Sequence, residues 1–178
     1  MKEERKNYIL KVVNELQKNS IHEVIDVVEL ARSLGFTVLR LKREIEEKGL
    51  IYVNDSGKDM VRIIAYNSNL SEKENRFIIA HELGHFYLHS SINSFLQDGS
   101  FVYMYHNKNG NQEKQLEDEA DFFAANLLLP KELFIEQYKS YGELATSQVA
   151  IDGLSNYFKV SQRCIRKRIK EVVDSSCE

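Results

Sequence analysis

The segment SEKENRFIIAHELGHFYLHS, residues 71–90, constrains the chain more than any other. Ser71 with Glu74 three residues later forms a capping box, so a helix starts there and runs to about Ser90. Phe77, Ile78, Ala80, Leu83 and Gly84 give that helix an apolar face that carries it into the core. The same helix holds His81-Glu82-Leu83-Gly84-His85, an H-E-x-x-H pattern. Residues four apart on a helix share a face, so both imidazoles can meet one ion. Zinc accepts neutral imidazole, and Glu82, next to the open coordination position, is the candidate general base. The alternative is two core-facing histidines that bracket a glutamate by chance. With only 5 His in 178 residues, the metal reading is preferred.

A third ligand is then required, and three residues compete for it. His89 lies one further turn along the same helix. Each four-residue step climbs about 6 Å and rotates about 40°, which takes His89 out of reach of the first pair's ion. It reads instead as a contact behind the ligands, a cleft wall or a substrate contact, or simply as a packed histidine. Glu117 and Asp121 share a face of a later helix, LEDEADFFAANLLL, with Ala120 and Ala124 beside them to permit close packing. A carboxylate from that helix completes a His₂Glu site. Asp121 would then hold a ligand imidazole by its other nitrogen. Glu117 is favoured because its helix turns apolar directly afterwards; Glu119 points about 200° away and is the weaker choice.

The rest of the chain reads as helices with a small sheet. Residues 2–18 form a helix, and Asp26 caps a second, VVELARSL, ended by Gly35. FTVLRL is a strand and KREIEEK a helical turn or connector ending at Gly49. LIYVN and MVRIIAYN are strands joined as a hairpin through DSGKD. FVYMYH is a further strand, either an ordinary one or an edge that pairs with an extended substrate. Pro130, the chain's sole proline, ends the second strong helix, and LFIEQY continues as another. Two more helices close the chain. No repeat or linker interrupts it, so one domain spans 1–178: N-terminal helices and hairpin (1–70), zinc-binding core (71–130) and C-terminal helices (131–178). The expected class is α+β, with a small antiparallel sheet beside the H-E-x-x-H helix.

Composition narrows the function. Net charge is −3, so no global basic field recruits nucleic acid. Arg163, Arg166, Lys167, Arg168 and Lys170 do cluster on the last helix, in a pattern faintly like helix-turn-helix. A solvated face, with Cys164, Ile165, Ile169 and Val172 packed inward, is preferred to a DNA-binding one. Cys164 and Cys177 indicate neither a disulfide framework nor a cysteine-based metal site. The charged start and the lack of a long apolar run make the cytoplasm the expected compartment.

RFIIAHELGHFYLH followed by EDEADFFAANLLLP resembles the ImmA/IrrE family of zinc metallopeptidases. The spacing of these blocks fits, as do LARSLGFTV upstream and LSNYFKVSQRCIRKRI downstream. LLLP stands where LLMP is usual, and the segment between the blocks is somewhat long. The resemblance implies a gluzincin-like cytoplasmic endopeptidase that cleaves a helix-turn-helix repressor and relieves repression of mobile elements, prophages or stress genes. By matching position it implies His81, His85 and Glu117 as zinc ligands and Glu82 as base. His89, Tyr103, Tyr105 and His106 remain open as a second electrophile.

Overall fold

The computed structural model describes residues 1–18, 22–41, 48–54, 60–89, 100–104 and 111–172. The chain opens with α1 (Glu3–Lys18), whose Ile9, Val13 and Leu16 form a buried stripe at helical spacing. Asp26 caps α2 (Val27–Ser33), its carboxylate accepting from the amides of Val28 and Glu29 at 3.0 and 3.1 Å. Gly35, at φ +85°, turns the chain out of that helix in the left-handed region that glycine adopts without strain.

Strands β1 (Thr37–Leu41), β2 (Gly49–Asn54), β3 (Val61–Asn67) and β4 (Ser100–Met104) form one sheet in the order β1-β3-β2-β4. The β2–β3 and β2–β4 pairings are antiparallel, with Ile51 opposite Ile64 on one side and Tyr103 on the other. The sheet is not antiparallel throughout: β1 lies parallel to β3, with Val38 opposite Ile64. The cause is strand order. The chain reverses between β1 and β2 and again between β2 and β3, so β3 runs in the direction of β1. Because β3 inserts between them, those two must pair in parallel. Gly49, expected to close a connector, is the first residue of β2. Residues 42–47, the DSGKD turn and residues 107–110 of the NKNGN turn lie outside the described residues.

Helix α3 (Glu72–His89) packs on β2 and β3 and carries α4 (Asn111–Leu128) on its other side, with α1 covering α4. The capping box forms: Ser71 N–H donates to Glu74 Oε2 at 3.0 Å, and Glu74 N–H to Ser71 Oγ at 3.3 Å. Pro130 separates α4 from α5 (Lys131–Lys139). The helices α6 (Gln148–Tyr157) and α7 (Gln162–Val172) pack as a pair. The architecture is α+β, with a sandwiched helix at its centre. Among the described residues no helix is long and apolar enough to cross a membrane.

Candidate metal centre

The second half of α3 is enclosed between the sheet and α4. His81, Glu82, His85 and His89 are all buried. Buried polar groups need partners, and the histidines find them in sequence along the helix. The Nε2 atoms of His81 and His85 face each other at 2.9 Å. Glu117 of α4 approaches both, with Oε2 at 3.2 Å from His81 Nε2 and Oε1 at 3.6 Å from His85 Nε2. One ligand atom from each of the three residues falls within 4.8 Å of the other two.

Gly84 makes this approach possible. A methyl group there would lie 3.1 Å from Phe123 Cδ1 and 3.2 Å from Ala120 Cα, tighter than packed side chains accept without a shift. The glycine of one helix and the alanine of the other bring the backbones together, and the Glu117 carboxylate within reach of the imidazoles.

The outer ring nitrogens are also occupied. His81 Nδ1 lies 3.0 Å from Asp121 Oδ1. His85 Nδ1 lies 2.9 Å from His89 Nδ1. His89 Nε2 continues to Glu119 Oε2 at 3.2 Å, and Arg5 donates to that same oxygen through Nη2 at 2.7 Å and Nε at 2.9 Å. His89 is therefore enclosed beneath His85, with no surface for a cleft or a substrate. Of the other residues left open as electrophiles, Tyr103 is placed on β4 by its backbone alone, and Tyr105 and His106 lie outside the described residues.

Glu82 differs from its neighbours. Both carboxyl oxygens are buried with no hydrogen-bond partner among the described residues. Burial pushes its pKa up to about 8, with His81 opposing and Glu117 adding to the rise. Burial would lower the His81 pKa, but hydrogen bonds to Asp121 and Glu117 and the charge of Glu82 outweigh it and raise it to about 9. Burial, then the charges of His81 and His89, holds His85 far below the usual imidazole range. The donor set thus contains a deprotonated imidazole ready to ligate and a second whose proton a cation would have to displace.

A cavity of about 470 Å³ opens beside His81 and Asp121, between α3, α4 and α7, with Phe77 and Ile78 on its wall and Arg163 and Lys167 on α7. The last helix is less uniformly cationic than its sequence reads. Arg168 is buried, donating to the Leu129 carbonyl at 2.8 Å and pairing with Glu171, while Arg166 donates to Gln148. Ile165 and Val172 are buried beside it, as expected for the inward face.

The fold is α+β, with a candidate metal site on a buried H-E-x-x-H helix. The IrrE N-terminal-like family model, Peptidase_M78, matches residues 31–170, and the chain belongs to that family. It is 25% identical over 145 residues to the metallopeptidase ImmA of Bacillus subtilis (strain 168), covering 82% of this chain and 75% of that protein. It is 35% identical over 113 residues to uncharacterized immunity region protein 2 of Bacillus phage phi105, covering 63% of each. A solved Mycobacterium tuberculosis transcriptional regulator matches with a TM-score of 0.54 at 17% identity, over 95% of this chain and 47% of that one. That last likeness is one of fold alone. The family is one of metallopeptidases, and His81, His85 and Glu117 fit a metal cofactor.

Sequence reasoning missed Arg5, set Glu119 aside as the weaker ligand choice, and read Gly49 as the end of a connector, without its contact to Glu82. Gln115 and Glu119, four apart and hydrogen-bonded at 2.9 Å, offered the sole local hint of a structured acid there.

Proposed function

We propose that this protein is a zinc-dependent endopeptidase that cleaves a helix-turn-helix transcriptional repressor in the cytoplasm. The observation that carries the reading is the convergence of His81, His85 and Glu117 beside Glu82, a buried acid without a hydrogen-bond partner among the described residues. Zinc fits the donor set in kind, two imidazoles and a carboxylate. It also fits in spacing. Zn–N and Zn–O bonds of about 2.0–2.1 Å at tetrahedral angles put ligand atoms about 3.3 Å apart, and the separations here are 2.9, 3.2 and 3.6 Å.

When bound, zinc polarises the scissile carbonyl and brings the pKa of a water toward about 7. The chain's residues do the rest. Asp121 and His89 fix the two ligand rings by their outer nitrogens. Glu82, next to the cation's charge, is held as the carboxylate despite its burial. It takes a proton from the attacking water and returns it to the leaving amine. The cavity between α3, α4 and α7 admits substrate side chains, with Arg163 and Lys167 at its border. No described strand lies beyond β4, so its outer edge can pair with an extended peptide.

The repressor as substrate rests on the family, with a phage immunity-region relative in support. The test is to mix the zinc-loaded protein with the helix-turn-helix repressor encoded beside its gene and follow the mixture by mass spectrometry. One defined cut is expected, absent with Glu82→Gln. An intact repressor would refute the substrate.

A further inference from the structure

Behind His85, on the side away from Glu117, three more side chains form a line that ends on a different helix. His89 of α3, Glu119 of α4 and Arg5 of α1 follow one another at hydrogen-bond distance, and His89 and Glu119 are 0% and 2% exposed. We propose that Arg5, Glu119 and His89 act together as positioning residues for the metal ligand His85, an inference that rests on the zinc site described above.

The hydrogens along this line have one consistent arrangement for neutral rings. To present a lone pair to a cation through Nε2, His85 must carry its ring proton on Nδ1. That N–H then donates to His89 Nδ1 at 2.9 Å, which must be an acceptor. His89 therefore bears its own proton on Nε2 and donates it to Glu119 Oε2 at 3.2 Å. The opposite arrangement fails at both ends. It would turn the His89 Nε2 lone pair toward a carboxylate, and it would put the His85 proton where the metal must bind. The carboxylate at the end of the line thus selects the tautomer of a ligand two residues away in the hydrogen-bond chain.

Glu119 can serve in this way because it is itself fixed. It accepts from Nε and Nη2 of Arg5 on one oxygen and from Gln115 Nε2 at 2.9 Å on the other. Arg5 Nη2 also reaches the Leu88 carbonyl at 3.4 Å, so it touches both helices of the site at once. The two ligand histidines are consequently held differently. On its outer nitrogen His81 meets Asp121, with 34% of its side chain exposed, whereas His89 and Glu119, behind His85, are buried. The first helix contributes to the metal centre as well as to the core.

The test compares wild type with Glu119→Gln, Arg5→Gln and Arg5→Lys. Zinc affinity is measured by chelator competition, and the visible spectrum of each protein is recorded with Co²⁺ in place of zinc. Glu119→Gln and Arg5→Gln should each weaken zinc binding by roughly 10–100-fold and shift the cobalt bands, while Arg5→Lys, which keeps a cation on Glu119, recovers most of the affinity. Arg5 is partly exposed, so Arg5→Gln gives a folded protein and carries the test if Glu119→Gln does not fold. Unchanged affinity and spectra in folded variants of a wild type that binds zinc would overturn this inference alone. A wild type that takes up no zinc would overturn the metal-site reading and this inference with it.

Discussion

Gly49, the first residue of β2, lies directly against Glu82. A methyl group on it would stand 2.8 Å from Glu82 Oε1 and would collide with Ile78 Cγ2. The sheet thus presses on the candidate base through a residue that has no side chain, and this contact helps to bury the carboxyl. Gly49→Ala should push Glu82 out of position. Peptidase activity should fall by an order of magnitude or more, while zinc content, set by His81, His85 and Glu117, stays at the wild-type level. Metal analysis and cleavage rates on the same preparation check this.

Glu82→Gln should separate binding from chemistry. The amide keeps the size of the side chain but cannot take a proton. Zinc should remain at the wild-type level while cleavage falls by at least about 10²-fold, the lower range for loss of a general base. Normal cleavage by the variant would remove Glu82 from the mechanism.

The metal-free protein should lose stability as the pH rises from 6.5 to 9. His81 is raised from 6.5 to about 9, so its contribution is complete below 6.5 and is lost as the pH passes through 9. Glu82 is raised from 4.5 to about 8, and the unfolded chain ionises first, so stability falls across that window too. His85 has the opposite sign, but its contribution to the slope ends near 6.5. Thermal unfolding of the chelated protein should therefore show a falling Tm above pH 6.5, and Glu82→Gln should flatten the part below about 8.

Zinc binding should show the complementary dependence. Ligation displaces the His81 proton, so apparent affinity should rise with pH up to about 9, by up to about tenfold per unit. The zinc-induced increase in Tm should be larger at pH 9 than at pH 6.5. An increase that shrinks with pH would mean that His81 is not a ligand.

Gly84→Ala should loosen the site more than the fold. The added methyl meets Ala120 Cα and carbonyl at 3.2 and 3.3 Å, backbone atoms that can yield only by moving α4. Overpacking costs roughly 1–3 kcal/mol, partly offset by about 1 kcal/mol of helix propensity. Zinc affinity should therefore drop clearly while Tm changes by a few degrees. Calorimetry and chelator competition would separate the two.

Local chemistry made much of this site legible in the sequence. The capping box, the four-residue spacing of His81 and His85, and the shared face of Glu117 and Asp121 all act within one or two helical turns. Each is reproduced in the geometry. Long-range pairing was not legible. Arg5 reaches Glu119 across 114 residues, and nothing in the first helix marks Arg5 off from its charged neighbours. Glu119 was set aside because it faces away from Glu117, and that same orientation delivers it to His89. The parallel β1–β3 pair depended on strand order, which alternating apolar residues do not encode. Arg168 looked like part of a solvated cationic face because its partner, the Leu129 carbonyl, lies 39 residues away, just past the end of α4.

Metal analysis of the wild-type chain alongside Glu117→Ala tests the metal centre most directly. One zinc per wild-type chain, lost on dialysis from the variant under conditions in which the wild type retains it, is the expected result. Equal zinc retention by the two proteins, or none in either, would contradict a site built from His81, His85 and Glu117.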